Sequence, residues 1–332
     1  MSQYLALPSA WPLLSLSQKV ILTTIIGLTY ALLYLASFSD PGFITPENLG
    51  EHLTRYPYDF TIFHPGQACR TCNLLKPARS KHCSICKGCV AKLDHHCIFI
   101  NNCVGRGNQH WFLLLLVLTG LQTLYGGLVG ASLVVAKIRV RDTGWALLPW
   151  NAHDGGGMPL HDWLVMWSWG LQDRVGLGSV SMLSLMTTPL VWGLLAYNLW
   201  LIYGGTTTNE SLKWSDMAFD MADGLVFRRR MSSSRAKDLR FEAPTTRWAV
   251  DTAQIVVQTD DGKPPTAEQT QWLQGEGEWE PVWSVRDVEN LYDLGLKDNL
   301  IDAFLPGYVF QDEELPADEP RGRRRTKRRQ QG

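Results

Sequence analysis

Residues 69–103, CRTCNLLKPARSKHCSICKGCVAKLDHHCIFINNC, contain all seven cysteines of this 332-residue chain and three of its eight histidines. Such clustering argues against a disulfide framework, which spreads its cysteines through a secreted domain. Cysteines interleaved with histidines at short spacings are instead typical of metal ligation in a reducing compartment. The segment therefore predicts a zinc-binding cysteine-rich domain.

Counting the ligands leaves a surplus in this segment. A structural zinc ion takes four tetrahedral ligands, usually cysteine and histidine, so two Cys3His sites use six cysteines and two histidines. The segment offers seven cysteines and three histidines, which leaves one of each unclaimed. Spacing alone does not indicate which cysteine is spare.

The tetrad Asp94-His95-His96-Cys97 contains the residue types of covalent acyl transfer. A thiol beside a metal site and an imidazole has a lowered pKa and reacts as the thiolate. A cysteine activated by a histidine that a carboxylate orients is a general arrangement for nucleophilic catalysis. The tetrad therefore indicates a cysteine nucleophile within the zinc-binding segment.

Three long apolar runs without charged residues flank this segment or follow it. Each is long enough to cross a bilayer core of ~30 Å, and three such runs are rare in soluble chains, so we expect membrane spans rather than buried core helices. Trp111, Trp200 and Tyr203 lie at the ends of runs, as interfacial anchors do. The predicted spans are residues 20–38, 112–136 and 179–203.

The distribution of basic residues predicts the topology. Eight Lys/Arg lie in residues 39–111, four in 137–178 and eighteen in 204–332. The positive-inside rule therefore places 39–111 and 204–332 in the cytosol, and the N-terminus (1–19) and the 137–178 loop in the lumen. The tryptophan-rich stretch Asp162–Gln172 of that loop is expected to lie on the membrane surface.

The region after the last span divides into three parts, of which the first, Thr206–Asp223, continues from that span. Within the C-terminal region 204–310, residues 240–310 are expected to be weakly globular, with a strand at Gln254–Thr259 that ends in an Asp260-Asp261-Gly262 turn signal. Residues 311–332 form an acidic and then basic tail, which predicts either a solvated, disordered end or a segment that binds anionic lipid. The net charge of −1 gives no indication of a nucleic-acid partner.

The segment Cys69–Trp111 resembles the zinc-finger DHHC family of palmitoyltransferases, whose cysteine-rich domain has the same pattern of cysteines and histidines. Three further elements are similar to family motifs and occur in the family's order. These are Asp40-Pro41-Gly42, Thr207-Thr208-Asn209-Glu210, and Asn290–Gly295 with Asn299, the last resembling an element that packs near the Thr-Thr segment. The resemblance covers about residues 40–310.

The resemblance implies a role for each residue of the cysteine-rich segment. It assigns Cys97 as the nucleophile, His95 as its base and Asp94 as the residue that orients His95. It also implies two interleaved zinc sites, one made of Cys69, Cys72, His82 and Cys89 and the other of Cys83, Cys86, His96 and Cys103.

The family's reaction implies the partners of the chain. Palmitoyl-CoA would donate palmitate to Cys97, and a cysteine of a membrane protein would then receive it, with the acyl chain held in an apolar slot among the spans. Candidate cations for the CoA phosphates are Lys76, Arg79, Lys81, Lys87, Lys92 and Arg106, although a solvated surface charge is the better expectation for any single one. The ending Phe304–Tyr308 is similar to the corresponding segment of the family's fungal endoplasmic-reticulum branch. This similarity implies a location in the endoplasmic-reticulum membrane and SNARE-type membrane proteins as substrates.

One departure from the family pattern concerns the number of spans. The family typically has four spans, whereas this sequence predicts three, so the chain either begins downstream of the natural start or has lost the first span. The sequence thus predicts an α-helical integral membrane protein with three transmembrane helices and a cytosolic two-zinc cysteine-rich domain. Its predicted function is protein S-palmitoyl transfer, and the alternative is a non-catalytic, membrane-anchored zinc adaptor.

Overall fold

The computed structural model describes residues 10–172, 175–268, 270 and 273–310, so the acidic and basic tail of 311–332 lies outside the described residues. The helices of the described part are α1 (Leu16–Phe38), α2 (Leu49–Leu53), α3 (Gln109–Arg141), α4 (Leu160–Gln172), α5 (Val175–Tyr203), α6 (Thr208–Ala222) and α7 (Leu296–Phe304). The strands are β1 (Lys81–Cys83), β2 (Gly88–Val90), β3 (His95–Cys97), β4 (Asn102–Val104), β5 (Val226–Met231), β6 (Gln254–Gln258) and β7 (Gly275–Pro281). Within this part of the chain there are two compact units, residues 10–35 with 111–197 and residues 36–110 with 198–310.

Helices α1, α3 and α5 are long and apolar enough to cross a bilayer, which confirms the prediction of three membrane-spanning helices. Each begins before the apolar run that predicted it, and α3 also continues past the run to Arg141. Lysine and arginine are good helix formers. Their long side chains also reach from a helix end to the polar interface, so charged residues need not end a spanning helix.

Small residues bring α3 and α5 together within the first unit. A Cβ atom built on Gly127 would come within 2.7 Å of the Leu185 side chain, and one built on Gly130 within 2.9 Å of Ser181. Ser181 Oγ donates a hydrogen bond of 2.7 Å to the carbonyl of Gly127. Close approach of helix backbones at small residues is typical of packing in membranes, where the hydrophobic effect does not drive association.

The tryptophan-rich stretch of the 137–178 loop forms helix α4. Trp145 is buried and stacks on Trp163, with ring centroids 6.4 Å apart, and Trp167 meets Trp145 edge to face. Gly170 lies against Ile138, because a Cβ there would come within 2.9 Å of that side chain. Several tryptophans therefore pack on one another, and the location of this helix on the membrane surface stays a prediction.

The second unit contains two short hairpins, β1–β2 and β3–β4, and a three-stranded antiparallel sheet in the order β6–β5–β7. The predicted strand near residue 254 is confirmed as β6. The central strand β5, with sequence VFRRRM, was not predicted because its arginines hide the alternation of apolar residues. Two of the three arginines lie opposite acidic residues of β7, Arg228 beside Glu280 and Arg230 beside Glu276, which stabilises the pairing.

Candidate active site

The cysteines and histidines of residues 69–103 converge in two clusters. In each cluster the four potential ligand atoms lie within 4.8 Å of one another. The clusters are Cys69, Cys72, His82 and Cys89, and Cys83, Cys86, His96 and Cys103. They are the same two sets that the family resemblance implies.

The short hairpins explain how each cluster is built. His82 pairs directly with Cys89 across β1–β2, and His96 pairs with Cys103 across β3–β4. Each of these histidine and cysteine pairs supplies half of a cluster. The other half comes from a Cys-x-x-Cys turn, in which the backbone N–H of the second cysteine donates to the Sγ of the first at 3.4 Å.

The geometry of both clusters fits zinc. Tetrahedral cysteine and histidine ligands around zinc are roughly 3.5–3.8 Å apart, given the metal–ligand bond lengths. In one cluster His82 Nδ1 lies 3.3 Å from Cys72 Sγ and 3.9 Å from Cys89 Sγ. In the other, His96 Nδ1 lies 3.3 Å from Cys86 Sγ and 3.7 Å from Cys103 Sγ. A structural zinc ion in each cluster would cross-link segments too short to form a hydrophobic core of their own.

Strand alternation separates the residues of the tetrad. His95, His96 and Cys97 form strand β3, and successive side chains of a strand point to opposite faces. The face of His96 meets the second zinc cluster, so His95 and Cys97 share the other face. This alternation is a physical reason why one histidine of the tetrad belongs to a metal cluster while its neighbour does not.

Asp94, His95 and Cys97 form a connected set of polar groups. His95 Nδ1 donates to Asp94 Oδ2 at 2.6 Å, which leaves the opposite ring nitrogen for Cys97. Burial opposes protonation of His95, but its hydrogen bonds to Asp94 and Cys97 outweigh burial and raise its pKa to about 9. Burial also opposes ionisation of Cys97, but hydrogen bonds from His95 and from backbone N–H groups lower the pKa of the thiol. The arrangement favours a thiolate and imidazolium pair.

The N-terminus of helix α6 holds the carboxylate of Asp94. Thr208 donates from its backbone N–H to Asp94 Oδ1 and from its Oγ1 to Asp94 Oδ2, both at 2.8 Å. The N–H of Asn209 donates to the carbonyl of Asp94 at 3.2 Å. Burial raises the pKa of Asp94, but hydrogen bonds from His95 and Thr208 outweigh burial and lower it below the usual range. A carboxylate here also benefits from the positive end of the helix dipole.

The same helix end makes a buried ion pair. Thr207 and Glu210 form a capping box, in which the side chain of each accepts from the backbone N–H of the other. Arg79 donates to both carboxylate oxygens of Glu210 at 2.7 Å, and both side chains are 1% exposed. The helix start is therefore fixed to the cysteine-rich segment by a charged pair as well as through Asp94.

Two of the candidate cations for CoA phosphates are already paired. Arg79 binds Glu210, and Lys92, also buried, lies 2.7 Å from Asp302 Oδ2. The expectation that either is a solvated charge or a phosphate ligand is wrong, because burial and a carboxylate partner occupy each head group. Arg106 is partly buried and donates to the Pro306 carbonyl. Lys81 and Lys87 are exposed and Lys76 is half-buried, so these three remain candidates.

The C-terminal element packs on the segment before helix α6, as the family resemblance implies. Asn290 Nδ2 donates to the Gly204 carbonyl at 2.8 Å, and Asn299 Nδ2 donates to the Tyr203 carbonyl at 3.1 Å. Gly205 has φ of +65°, and a Cβ there would come within 2.5 Å of the Tyr292 carbonyl. Only glycine meets both demands, so the turn before α6 and the C-terminal element fit closely.

Sequence reasoning missed several residues that surround the tetrad. Asn102 Nδ2 donates to the carbonyls of Ala36, Ser37 and Ser39, and Asp302 pairs with Lys92. No local pattern marks either residue, because their partners are distant in sequence. The capping box could have been found, since a threonine followed three residues later by glutamate is its sequence signature.

Comparisons with known proteins agree with this geometry. A family model described as DHHC palmitoyltransferase matches residues 62–215. The chain is 53% identical over 336 residues to Palmitoyltransferase SWF1 of Neurospora crassa, which covers 98% of this chain and 78% of the relative. It is 40% identical over 321 residues to Palmitoyltransferase swf1 of Aspergillus fumigatus, in an alignment that covers 90% of this chain and 81% of the relative. The chain is 38% identical over 108 residues to mouse Palmitoyltransferase ZDHHC4, in an alignment that covers 32% of each chain.

Proposed function

Because the chain belongs to the DHHC palmitoyltransferase family, we propose that it moves palmitate from palmitoyl-CoA to cysteine thiols of membrane proteins through a thioester at Cys97. The observation that carries the assignment of roles is the hydrogen-bonded set of Asp94, His95 and Cys97, in which His95 and Cys97 share one face of β3 and Asp94 directly precedes the strand. A non-catalytic zinc adaptor is not favoured, since relatives that cover most of the chain are named palmitoyltransferases.

The first step acylates the enzyme. The Cys97 thiolate attacks the carbonyl carbon of palmitoyl-CoA, the bond from that carbon to the CoA sulfur breaks, and CoA takes the proton of the His95 imidazolium. The raised pKa of His95 and the lowered pKa of Cys97 support this starting state, because they favour the ion pair over the neutral pair. Asp94 fixes the ring tautomer by accepting from Nδ1.

The second step transfers the palmitoyl group to the substrate. Neutral His95 takes the proton of a substrate cysteine, the resulting thiolate attacks the acyl carbon, and Cys97 leaves as the thiolate. The enzyme returns to its starting ion pair, and one thioester has replaced another. Since the exchange is nearly balanced in energy, the protein contributes mainly the thiolate and the alignment of the reacting groups.

Zinc in the two clusters would have a structural role in this scheme. Its four ligands per cluster close the coordination shell, which is typical of structural rather than catalytic zinc. His96 lies in strand β3 and would be a zinc ligand, so the metal would fix the position of the strand that carries His95 and Cys97.

The substrates and the membrane are also part of the proposal. We assign the chain to the endoplasmic-reticulum membrane, with residues 39–111 and 204–310 in the cytosol and SNARE-like membrane proteins as substrates. The distribution of basic residues supports the cytosolic placement, and the resemblance of the ending Phe304–Tyr308 to the fungal endoplasmic-reticulum branch of the family supports the membrane and the substrates. Acyl-exchange proteomics of cells with and without this gene tests the substrates, and fluorescence microscopy of the tagged chain tests the membrane.

The decisive experiment is labelling of the purified full chain with a clickable palmitoyl-CoA analogue. The wild-type protein should acquire a hydroxylamine-sensitive adduct, and the Cys97→Ala variant should acquire none while it keeps two zinc ions per chain. A zinc adaptor would give no adduct in either protein. An adduct of equal size in Cys97→Ala would overturn the assignment of Cys97 as the nucleophile.

A further inference from the structure

Four buried charges lie behind the tetrad and form two linked ion pairs. Arg79 pairs with Glu210, and Lys92 Nζ lies 2.7 Å from Asp302 Oδ2. Arg79 also lies 3.6 Å from the same oxygen of Asp302, so the pairs share a carboxylate. The four side chains are at most 12% exposed, and their formal charges cancel.

Asp302 is the member of this cluster that comes from helix α7, near the end of the described chain. Its second oxygen accepts from the hydroxyl of the buried Tyr56 at 2.7 Å, so both carboxylate oxygens have partners. Removing one partner of a buried ion pair leaves an uncompensated charge, whereas replacing both by apolar groups is often nearly neutral. Loss of Asp302 alone would leave two buried cations and one anion.

The cluster is connected to Asp94 by two short routes. Lys92 precedes Asp94 by two residues, and Leu93 between them donates its N–H to the Arg79 carbonyl at 3.2 Å and accepts from Thr207 Oγ1 at 3.3 Å. Through Glu210, Arg79 holds the start of helix α6, whose Thr208 binds the Asp94 carboxylate. A shift of Lys92 or Arg79 would therefore move both the backbone and the side-chain partners of Asp94.

We propose that Asp302 is a positioning residue for the acyl-transfer reaction. Its carboxylate supplies the countercharge that keeps Lys92 and Arg79 in place, and these hold Asp94 in the orientation that aligns His95 with Cys97. Helix α7 is then part of the catalytic apparatus although it contributes no reacting group. The inference rests on the proposed function, because it concerns the rate at which Cys97 is acylated.

The test is single-turnover acylation of the full chain in detergent by a clickable palmitoyl-CoA analogue without acceptor. The amplitude of the time course reports the fraction of competent protein, and the rate constant reports the chemistry. For Asp302→Asn we expect the rate constant to fall roughly 10-fold, since small misplacements of reacting groups cost 10- to 100-fold. The KM for the analogue should stay within about twofold, because Asp302 does not touch the reacting atoms. The matched control is Asp287→Asn, which removes an exposed carboxylate and should match the wild-type rate.

A double variant separates charge balance from loss of folding. Lys92→Met should slow acylation as Asp302→Asn does, and Lys92→Met combined with Asp302→Leu should recover to within about threefold of wild type. If Asp302→Asn yields no folded protein, the Asp302→Glu variant takes its place as the test. It should slow acylation at least threefold, because the added methylene displaces the carboxylate.

Three results would overturn the inference: an unchanged rate constant in folded Asp302→Asn, a loss confined to the amplitude, or an unchanged rate in Asp302→Glu where the asparagine variant does not fold. Failure of the wild-type protein to acylate would instead count against the proposed function.

Discussion

Replacing Thr208 by valine removes one hydrogen bond to the Asp94 carboxylate and leaves the backbone bond in place. Thr208 Oγ1 donates to Asp94 Oδ2 at 2.8 Å, and the same oxygen accepts from His95 Nδ1 at 2.6 Å. Valine has the shape of threonine without the hydroxyl, so the first turn of helix α6 should survive. Loss of a hydrogen bond to a charged group costs about 1.5–3 kcal/mol.

The expected effect on rate follows from that energy. If Asp94 loses its preferred orientation, the full cost raises the barrier for Cys97 acylation, and about 1.4 kcal/mol corresponds to a tenfold change. We therefore expect Thr208→Val to lower the single-turnover rate constant about 10- to 100-fold. The pKa of Asp94 should rise, because a hydrogen bond to the ionised form lowers it. The acid limb of the pH–rate profile should accordingly shift to higher pH.

The assay measures acylation of wild type, Thr208→Val and Thr208→Ser with a clickable palmitoyl-CoA analogue between about pH 3 and 9, a range that spans the ordinary pKa values of aspartate, histidine and cysteine. Thr208→Ser keeps the hydroxyl and should stay within about threefold of wild type, since the hydrogen bond can still form. The reasoning is refuted if folded Thr208→Val with full zinc content reacts within twofold of wild type. It is equally refuted if serine is as slow as valine, because the hydroxyl would then be irrelevant.

Three further predictions concern the thiol, the metal and the membrane helices. His95→Ala should move the midpoint of iodoacetamide alkylation of Cys97 to higher pH, because the imidazolium that lowers the thiol pKa is lost; an unmoved midpoint counts against the pair. Chelation should release two zinc ions per chain and abolish acylation, as colorimetric titration and labelling would record; full activity after complete release contradicts a structural role. Gly127→Ala should lower the melting temperature in detergent, because its Cβ would come within 2.7 Å of Leu185. Gly126→Ala, with open space around it, should not, and equal melting temperatures would contradict the packing.

Much of this protein could be read from local patterns. The three spans follow from uncharged runs of sufficient length, a property that does not depend on the rest of the fold. The zinc clusters follow from cysteine and histidine counts, and the family resemblance selected the same ligand sets that the hairpins bring together. In β3, alternation alone separates His96 from His95 and Cys97, so even the division of the tetrad is a local property.

The sequence by itself therefore determined the three spans of the described residues, the ligand inventory and the candidate nucleophile. Only the tertiary structure decided which residues keep Asp94 and His95, the partners of that nucleophile, in position. Thr208 binds a carboxylate 114 residues earlier in the chain, and Lys92 binds Asp302, 210 residues later. A lysine or an arginine has the same identity whether it is solvated or buried. Its role depends on whether the fold removes water and supplies a countercharge, which for Arg79 and Lys92 it does.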